Sequence, residues 1–143
     1  MTISVGAIIY HEDKYLLQKR DNKKNIFFPN LWGVFGGTIE KNEKPIDGIK
    51  RELKEELNLN FKITKEFLKQ IIETKYFKPQ RTRLFFICKL PNDFKKIIKL
   101  NEGADLKFFN LHQINSLRMV PWDFSAILYH NYSIVLKKRV KPI

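Results

Sequence analysis

The segment RELKEEL, residues 51–57, places glutamates at 52, 55 and 56 in a 143-residue chain whose formal net charge is +12. At helical spacing the three carboxylates fall within about a 100° arc. Such a stripe is costly. Like charges three and four residues apart repel by roughly 0.2–0.5 kcal/mol per pair. Negative charge in the last turn opposes the helix dipole by about 0.3–1 kcal/mol. Arg51 can relieve part of this through an i, i+4 contact with Glu55, but one cation does not neutralise three carboxylates. Two readings are open. One is a solvated acidic face offset by lysines, the ordinary role of a charge run. The other is a site for hard divalent cations, Mg2+ or Mn2+, which accept clustered oxygen ligands.

The elements around the stripe bear on that choice. From Pro45 to Leu57 the apolar residues Ile46, Ile49, Leu53 and Leu57 recur every three or four positions, which predicts a helix. Pro45 suits the first turn and Asn58 the left-handed position that ends a helix. The acidic arc borders the apolar stripe, so the carboxylates edge the buried face. Just upstream, LWGVFGGTIE (31–40) reads as an aromatic strand broken by glycines. Gly36 and Gly37 permit close approach of backbone to a ligand, and Gly36 is a candidate substrate contact.

Elsewhere, ISVGAIIY (3–10) and KYLLQKR (14–20) predict a hairpin. EFLKQIIETKYF (66–77) and RTRLFFICKL (81–90) predict a second strand pair joined at Lys78-Pro79-Gln80, and LKFFNL (106–111) a further short strand. The tail from Pro121 to about Lys138 has apolar spacing for a terminal helix, with basic residues at its C-terminal end where the dipole favours them. Strands mixed with two helices imply an α/β fold, a sheet covered on its faces by helices.

Length suits one domain, residues 1–143, and no repeat or linker divides it. A hydrophobic fraction of 43% with 13% aromatics excludes a disordered chain. No apolar run reaches the roughly 20 residues of a membrane helix, so no membrane partner is expected. The N-terminus has no signal-peptide pattern, and the expected location is cytoplasmic. Cys88 is the one cysteine, which excludes an internal disulfide; its apolar flanks predict a buried, inert thiol. The basic excess suits anionic partners, yet lysine supplies 21 of the 27 cations, a compositional bias that decides little. YFKPQRTRLFF (76–86) mixes aromatic and basic residues, as a single-stranded nucleic-acid site or an ordinary charged hairpin would. His11, His112 and His130 lack metal-ligand spacing.

Residues 37–59, GTIEKNEKPIDGIKRELKEELNL, resemble the Nudix box, G-x5-E-x7-R-E-U-x-E-E-x-G-U with U aliphatic. Gly37, Glu43, Arg51, Glu52, Leu53, Glu55, Glu56 and Leu59 match, and Asn58 stands where the pattern has its second glycine. The flanking hairpin, the tryptophan-containing strand and LNEGADLKFFNLHQI are also similar to the family's segments. The resemblance implies an α/β/α sandwich with a mixed sheet between helices, which hydrolyses a nucleoside diphosphate linked to another group using Mg2+ or Mn2+. Carried over by position, Glu52, Glu55 and Glu56 would be metal ligands, joined by the Gly37 carbonyl. Arg51 would orient or neutralise a carboxylate and Glu43 would hold the loop to the helix. The general base would be Glu52 or a carboxylate from a later loop, for which Glu102 is the candidate and also a candidate ligand.

The resemblance leaves the substrate open. Phe35 stands where many members have proline, and Thr38 where some triphosphatases have a phosphate-binding lysine; Arg20 is a candidate replacement for that contact. Trp122 and Asp123 occupy a segment that contacts the base in some members, though Asp123 equally suits a helix cap. Trp32 is assigned to packing. Tyr76 lies where diadenosine polyphosphate hydrolases carry a tyrosine. A nucleoside triphosphate, damaged ones included, leads the nucleotide substrates, ahead of nucleotide sugars and dinucleoside polyphosphates. RNA 5′ ends and a non-catalytic nucleotide-binding role are the alternatives, and a homodimer is compatible with the family.

Overall fold

The computed structural model describes residues 2–21, 28–74, 77–98 and 105–137. Glu102 and Tyr76, both singled out above, lie outside these residues. The expected N-terminal hairpin is present. Strand β1 (Thr2–His11) turns through Glu12 and Asp13, both at positive φ, into β2 (Lys14–Lys19). The glycine-broken segment gives two short strands, β3 (Trp32–Gly33) and β4 (Phe35–Thr38). β5 (Lys62–Thr74), β6 (Phe77–Lys89) and β7 (Asp105–Phe109) complete the strands seen among the described residues.

The sheet runs β3-β2-β1-β6-β5, with β4 also on β1 and β7 also on β2. β1 and β6 are parallel, from Thr2↔Arg81 to Ile9↔Cys88, and the other pairings are antiparallel, so the sheet is mixed. Alternation along the strands divides their side chains between two cores. Val5, Ala7, Ile9, Leu84 and Phe86 pack with Ile49, Leu53 and Leu57 of helix α1 (Pro45–Leu57). Ile8, Leu17 and Phe85 pack on the other face with Ala126 and Ile127 of a C-terminal helix. The result is the expected α/β arrangement, a mixed sheet between helices.

Helix α1 has the expected ends. Pro45 opens it, and Asn58 closes it at φ 56°, ψ 36°, donating its N–H to the Lys54 carbonyl. Ile49, Leu53 and Leu57 are fully buried, each worth roughly 1.5–3 kcal/mol of transfer free energy. That burial offsets the repulsion within the acidic stripe.

Three expectations are corrected. Lys78-Pro79-Gln80 is not the hairpin connection but part of β6, because Thr74 already pairs with Phe77. Pro79 is tolerated there because β1 first pairs with β6 at Arg81, so no ladder bond from β1 is lost. The strand expected at 106–111 ends at Phe109. Asn110 instead caps a short helix, α3 (Leu111–Ile114), in a reciprocal capping box with Gln113; this follows another short helix, α2 (Phe94–Ile97). Finally, the terminal helix is α-helical only as α4 (Pro121–His130) and widens to a π-helix over Asn131–Leu136. There the Ser133 hydroxyl donates to the Tyr129 carbonyl at 2.6 Å, competing with the backbone for that acceptor. Among the described residues no helix is long and apolar enough to cross a membrane.

Candidate active site

The loop between β4 and α1 is tied down by Glu43. Its Oε1 accepts from the Glu40 N–H at 3.0 Å and from Arg51 Nη2 at 2.9 Å, and its Oε2 accepts from Arg51 Nε at 2.8 Å. This two-point fork fixes the guanidinium plane. The remaining Arg51 N–H groups reach Glu52 Oε1 at 3.0 Å, both Glu55 oxygens at 3.4 Å and the Thr38 carbonyl at 3.4 Å. The anticipated i, i+4 contact with Glu55 is therefore one part of a larger hub. Arg51, bonded first of all to Glu43, is held charged with its pKa above the ordinary arginine value. The same bond holds the Glu43 carboxyl down to about 2.

The three glutamates of α1 differ in exposure. Glu56 is 2% exposed, Glu52 has 13% of its side chain exposed, and Glu55 has 51%. The stripe is thus not uniformly solvated: it runs from an exposed Glu55 through Glu52 to a buried Glu56. Gly37 lies directly against it: a Cβ there would stand 2.5 Å from Glu52 Oε1. A Cβ on Gly36, at φ +148°, would collide with the Val5 carbonyl oxygen. The two glycines let β4 pass between β1 and the Glu52 carboxylate.

The acidic side chains of α1, Glu52, Glu55 and Glu56, are oxygen donors of the kind a hard divalent ion takes. By type and by the Gly37–Glu52 approach the residues fit such an ion. Among the described residues, no three Asp, Glu, His or Cys side chains already converge around one point. Glu52 and Glu55 are instead turned onto Arg51.

Arg20, just past the end of β2, has its backbone pinned by two bonds to the loop, Arg20 N–H to Leu31 and Asn30 N–H to Arg20. Burial lowers its pKa, opposed by the charges of Asp123 and Glu56 and assisted by Arg83. It therefore lies in the field of both the box helix and α4. Trp122 packs edge-on against Phe28 with ring centroids 5.0 Å apart, and its carbonyl accepts from Gln70. Trp32 packs against Phe109, as expected.

Asp123 does not cap α4; Val120 holds that position without a side-chain bond. Asp123 is 3% exposed and both its oxygens are committed to the protein. Oδ1 accepts from Arg83 Nε at 3.0 Å and Oδ2 from the Val34 N–H at 3.1 Å. Arg83 was missed by sequence reasoning. Two signals pointed to it: it shares a strand face with Phe85, and Asp123 is the single acid of α4.

A family model for the NUDIX domain matches residues 1–129. No curated protein matches the chain. Among solved structures, a NUDIX hydrolase from Nitrosomonas europaea is similar with a TM-score of 0.74 at 22% identity, over 90% of this chain and 88% of that one. The E. coli dihydroneopterin triphosphate pyrophosphohydrolase gives 0.69 at 19%, covering 94% and 95%. The NUDIX domain of Shewanella oneidensis NrtR, solved with ADP ribose, gives 0.72 at 18%, covering 97% and 88%.

Proposed function

Because the chain belongs to the Nudix family of hydrolases, we propose that it cleaves the diphosphate linkage of a nucleotide in a reaction dependent on Mg2+ or Mn2+. The observation that carries this reading is the acidic edge of α1. Three glutamates of graded burial, one arginine hub and a glycine pair stand together inside a matched domain. Glu52, Glu55 and Glu56 would hold the cation, with the Gly37 carbonyl and Glu102 as further ligands. A cation held there supplies charge screening for the anionic diphosphate and Lewis acidity toward its oxygens. Gathering these ligands requires Glu52 or Glu55 to exchange an Arg51 N–H for the ion.

The chain's own residues do the rest. Arg51 orients whichever of Glu52 and Glu55 stays bonded to it, while its fork on Glu43 anchors the loop. A carboxylate, Glu52 or Glu102, accepts the proton of the attacking water as its oxygen bonds to phosphorus. The anhydride P–O bond breaks and the leaving phosphate departs with the electron pair. Arg20, half-buried in the field of Glu56 and Asp123, would take a phosphate oxygen. Trp122, paired with Phe28, and Tyr76 are candidate contacts to the nucleoside, whereas the side of Gly36 that lacks a Cβ is filled by the Val5 carbonyl of β1.

The leading substrate class is a nucleoside triphosphate, damaged ones included. Nucleotide sugars, ADP-ribose-type compounds included, form the second reading, since a protein of the same fold was solved with ADP ribose, and both classes belong in the test. A panel of nucleoside triphosphates, nucleotide sugars and dinucleoside polyphosphates with Mg2+ or Mn2+, products identified by mass, decides. Turnover is expected for at least one class, abolished by Glu55→Gln or Glu56→Gln with folding intact. No turnover by the unaltered chain across the panel would instead indicate a nucleotide-binding module.

A further inference from the structure

A buried ion pair on the far face of the sheet is built into the seam that carries the glycine pair. Arg83 donates from Nε to Asp123, and from Nη1 to the Ser4 hydroxyl at 3.1 Å and the Val5 carbonyl at 3.4 Å. Asp123 in turn accepts the Val34 N–H. Val5 and Gly6 of β1 are the register partners of Gly37 and Gly36 in β4. The Val5 carbonyl that Arg83 grips is also the group against which Gly36 is pressed. The pair therefore holds the seam from both sides, β1 through Val5 and the approach to β4 through Val34. On the opposite side of the same seam Gly37 touches Glu52.

Room for the pair is itself made by glycines. A Cβ on Gly33 would stand 2.8 Å from Asp123 Oδ2, and one on Gly6 would stand 3.0 Å from Arg83 Nη2. Two charges are taken out of water here, which raises stability little compared with an apolar pair of the same shape. What the pair adds is geometry. A guanidinium fork that joins a helix carboxylate to a main-chain carbonyl admits one docking of α4 on the sheet.

We propose that Arg83 and Asp123 are positioning residues for the reaction, fixing Gly36 and Gly37 relative to the glutamates of α1. The catalytic half of this statement rests on the function proposed above; the structural half does not. The test combines amide hydrogen exchange with steady-state kinetics on Arg83→Met, Asp123→Asn and the double variant. Exchange of the Val34 and Gly37 amides should accelerate about tenfold or more in each single variant, relative to the Leu53 amide. With a substrate from the panel, kcat should fall about 10- to 100-fold, with KM changed less than about threefold. The double variant should be no worse than Arg83→Met, because the two residues act as one unit. If Arg83→Met does not fold, Arg83→Lys serves: a lysine keeps the charge but cannot span Asp123 and Val5 together. Unchanged exchange at Val34 and Gly37 overturns the proposal. So does a rise in KM with kcat intact, which would make the pair a direct substrate contact. Should the unaltered chain hydrolyse nothing, the exchange result alone decides the structural half, and the failure belongs to the proposed function.

Discussion

The guanidinium of Arg51 donates to Glu43, Glu52, Glu55 and the Thr38 carbonyl, so one side chain joins the loop before α1 to two carboxylates on it. Its partner Glu43 titrates near 2 in the fold against 4.5 when unperturbed. A carboxyl depressed in this way stabilises the folded state fully above the unperturbed value and loses that contribution as pH falls from about 4.5 toward 2. Glu43→Gln should therefore flatten the decline in melting temperature across that window; an unchanged decline would mean the fork with Arg51 does not form in solution. In the same region Arg51→Met should reduce turnover about 10–100-fold, the usual effect of removing a group that orients a ligand. Cys88 makes a separate check on the core. It is buried on β6 and its thiol is pushed up to about 12 by burial. A thiol reagent at pH 8 should label it only on unfolding; rapid labelling of the native chain would contradict its place behind α1.

At the scale of elements, β4 and α1 form the unit that carries the candidate site, and glycine is what allows them to approach. Gly36→Ala meets both a backbone collision and a positive φ, whereas Gly37→Ala meets only the movable carboxylate of Glu52. Thermal denaturation should rank Gly36→Ala as the more destabilising, and Gly37→Ala should lower activity with less loss of stability. The reverse order would place the seam differently. Leu53→Ala, at a fully buried position, should cost about 2–5 kcal/mol.

How far these elements were legible follows from their physics. The residue spacing of 45–57 marked α1 to both ends, because proline and asparagine each do a single backbone job there. The β-branched and apolar runs of β1, β2 and β6 were equally plain. The β5–β6 turn was misplaced because Pro79 reads as a breaker, while the register that overrides it is a long-range property. Helix α3 was hidden behind strand-like aromatics, although Asn110 and Gln113 carried a capping signature. Carboxylate identity and spacing marked the acidic edge of α1 as a candidate site, and the resemblance to the Nudix box proposed the roles of its residues. Only the fold could tell that Asp123 is engaged by Arg83 and Val34, since 40 residues separate it from the arginine.

For the whole molecule, the net charge of +12 and the Nudix fold together pose the question of what anion the chain meets. If the charge is compositional background, affinity for an RNA 30-mer should match that for its isolated 5′ nucleotide. A steep fall in 30-mer binding with salt, growing with the number of phosphates contacted, would move RNA 5′ ends to the front. The mixed sheet buries one core under α1 and another under α4, and the Arg83–Asp123 pair links the second layer to the seam beside the glutamates. The chemistry proposed for the first layer thus depends on how the second is docked.

The most direct measurement is anomalous scattering from crystals soaked in Mn2+ with a nucleotide. Manganese peaks should appear beside Glu52, Glu55 and Glu56, with phosphate oxygens against them and Glu52 or Glu55 turned from Arg51. Peaks and phosphates elsewhere on the protein, with the Arg51 contacts unbroken, would contradict a cation site on this helix.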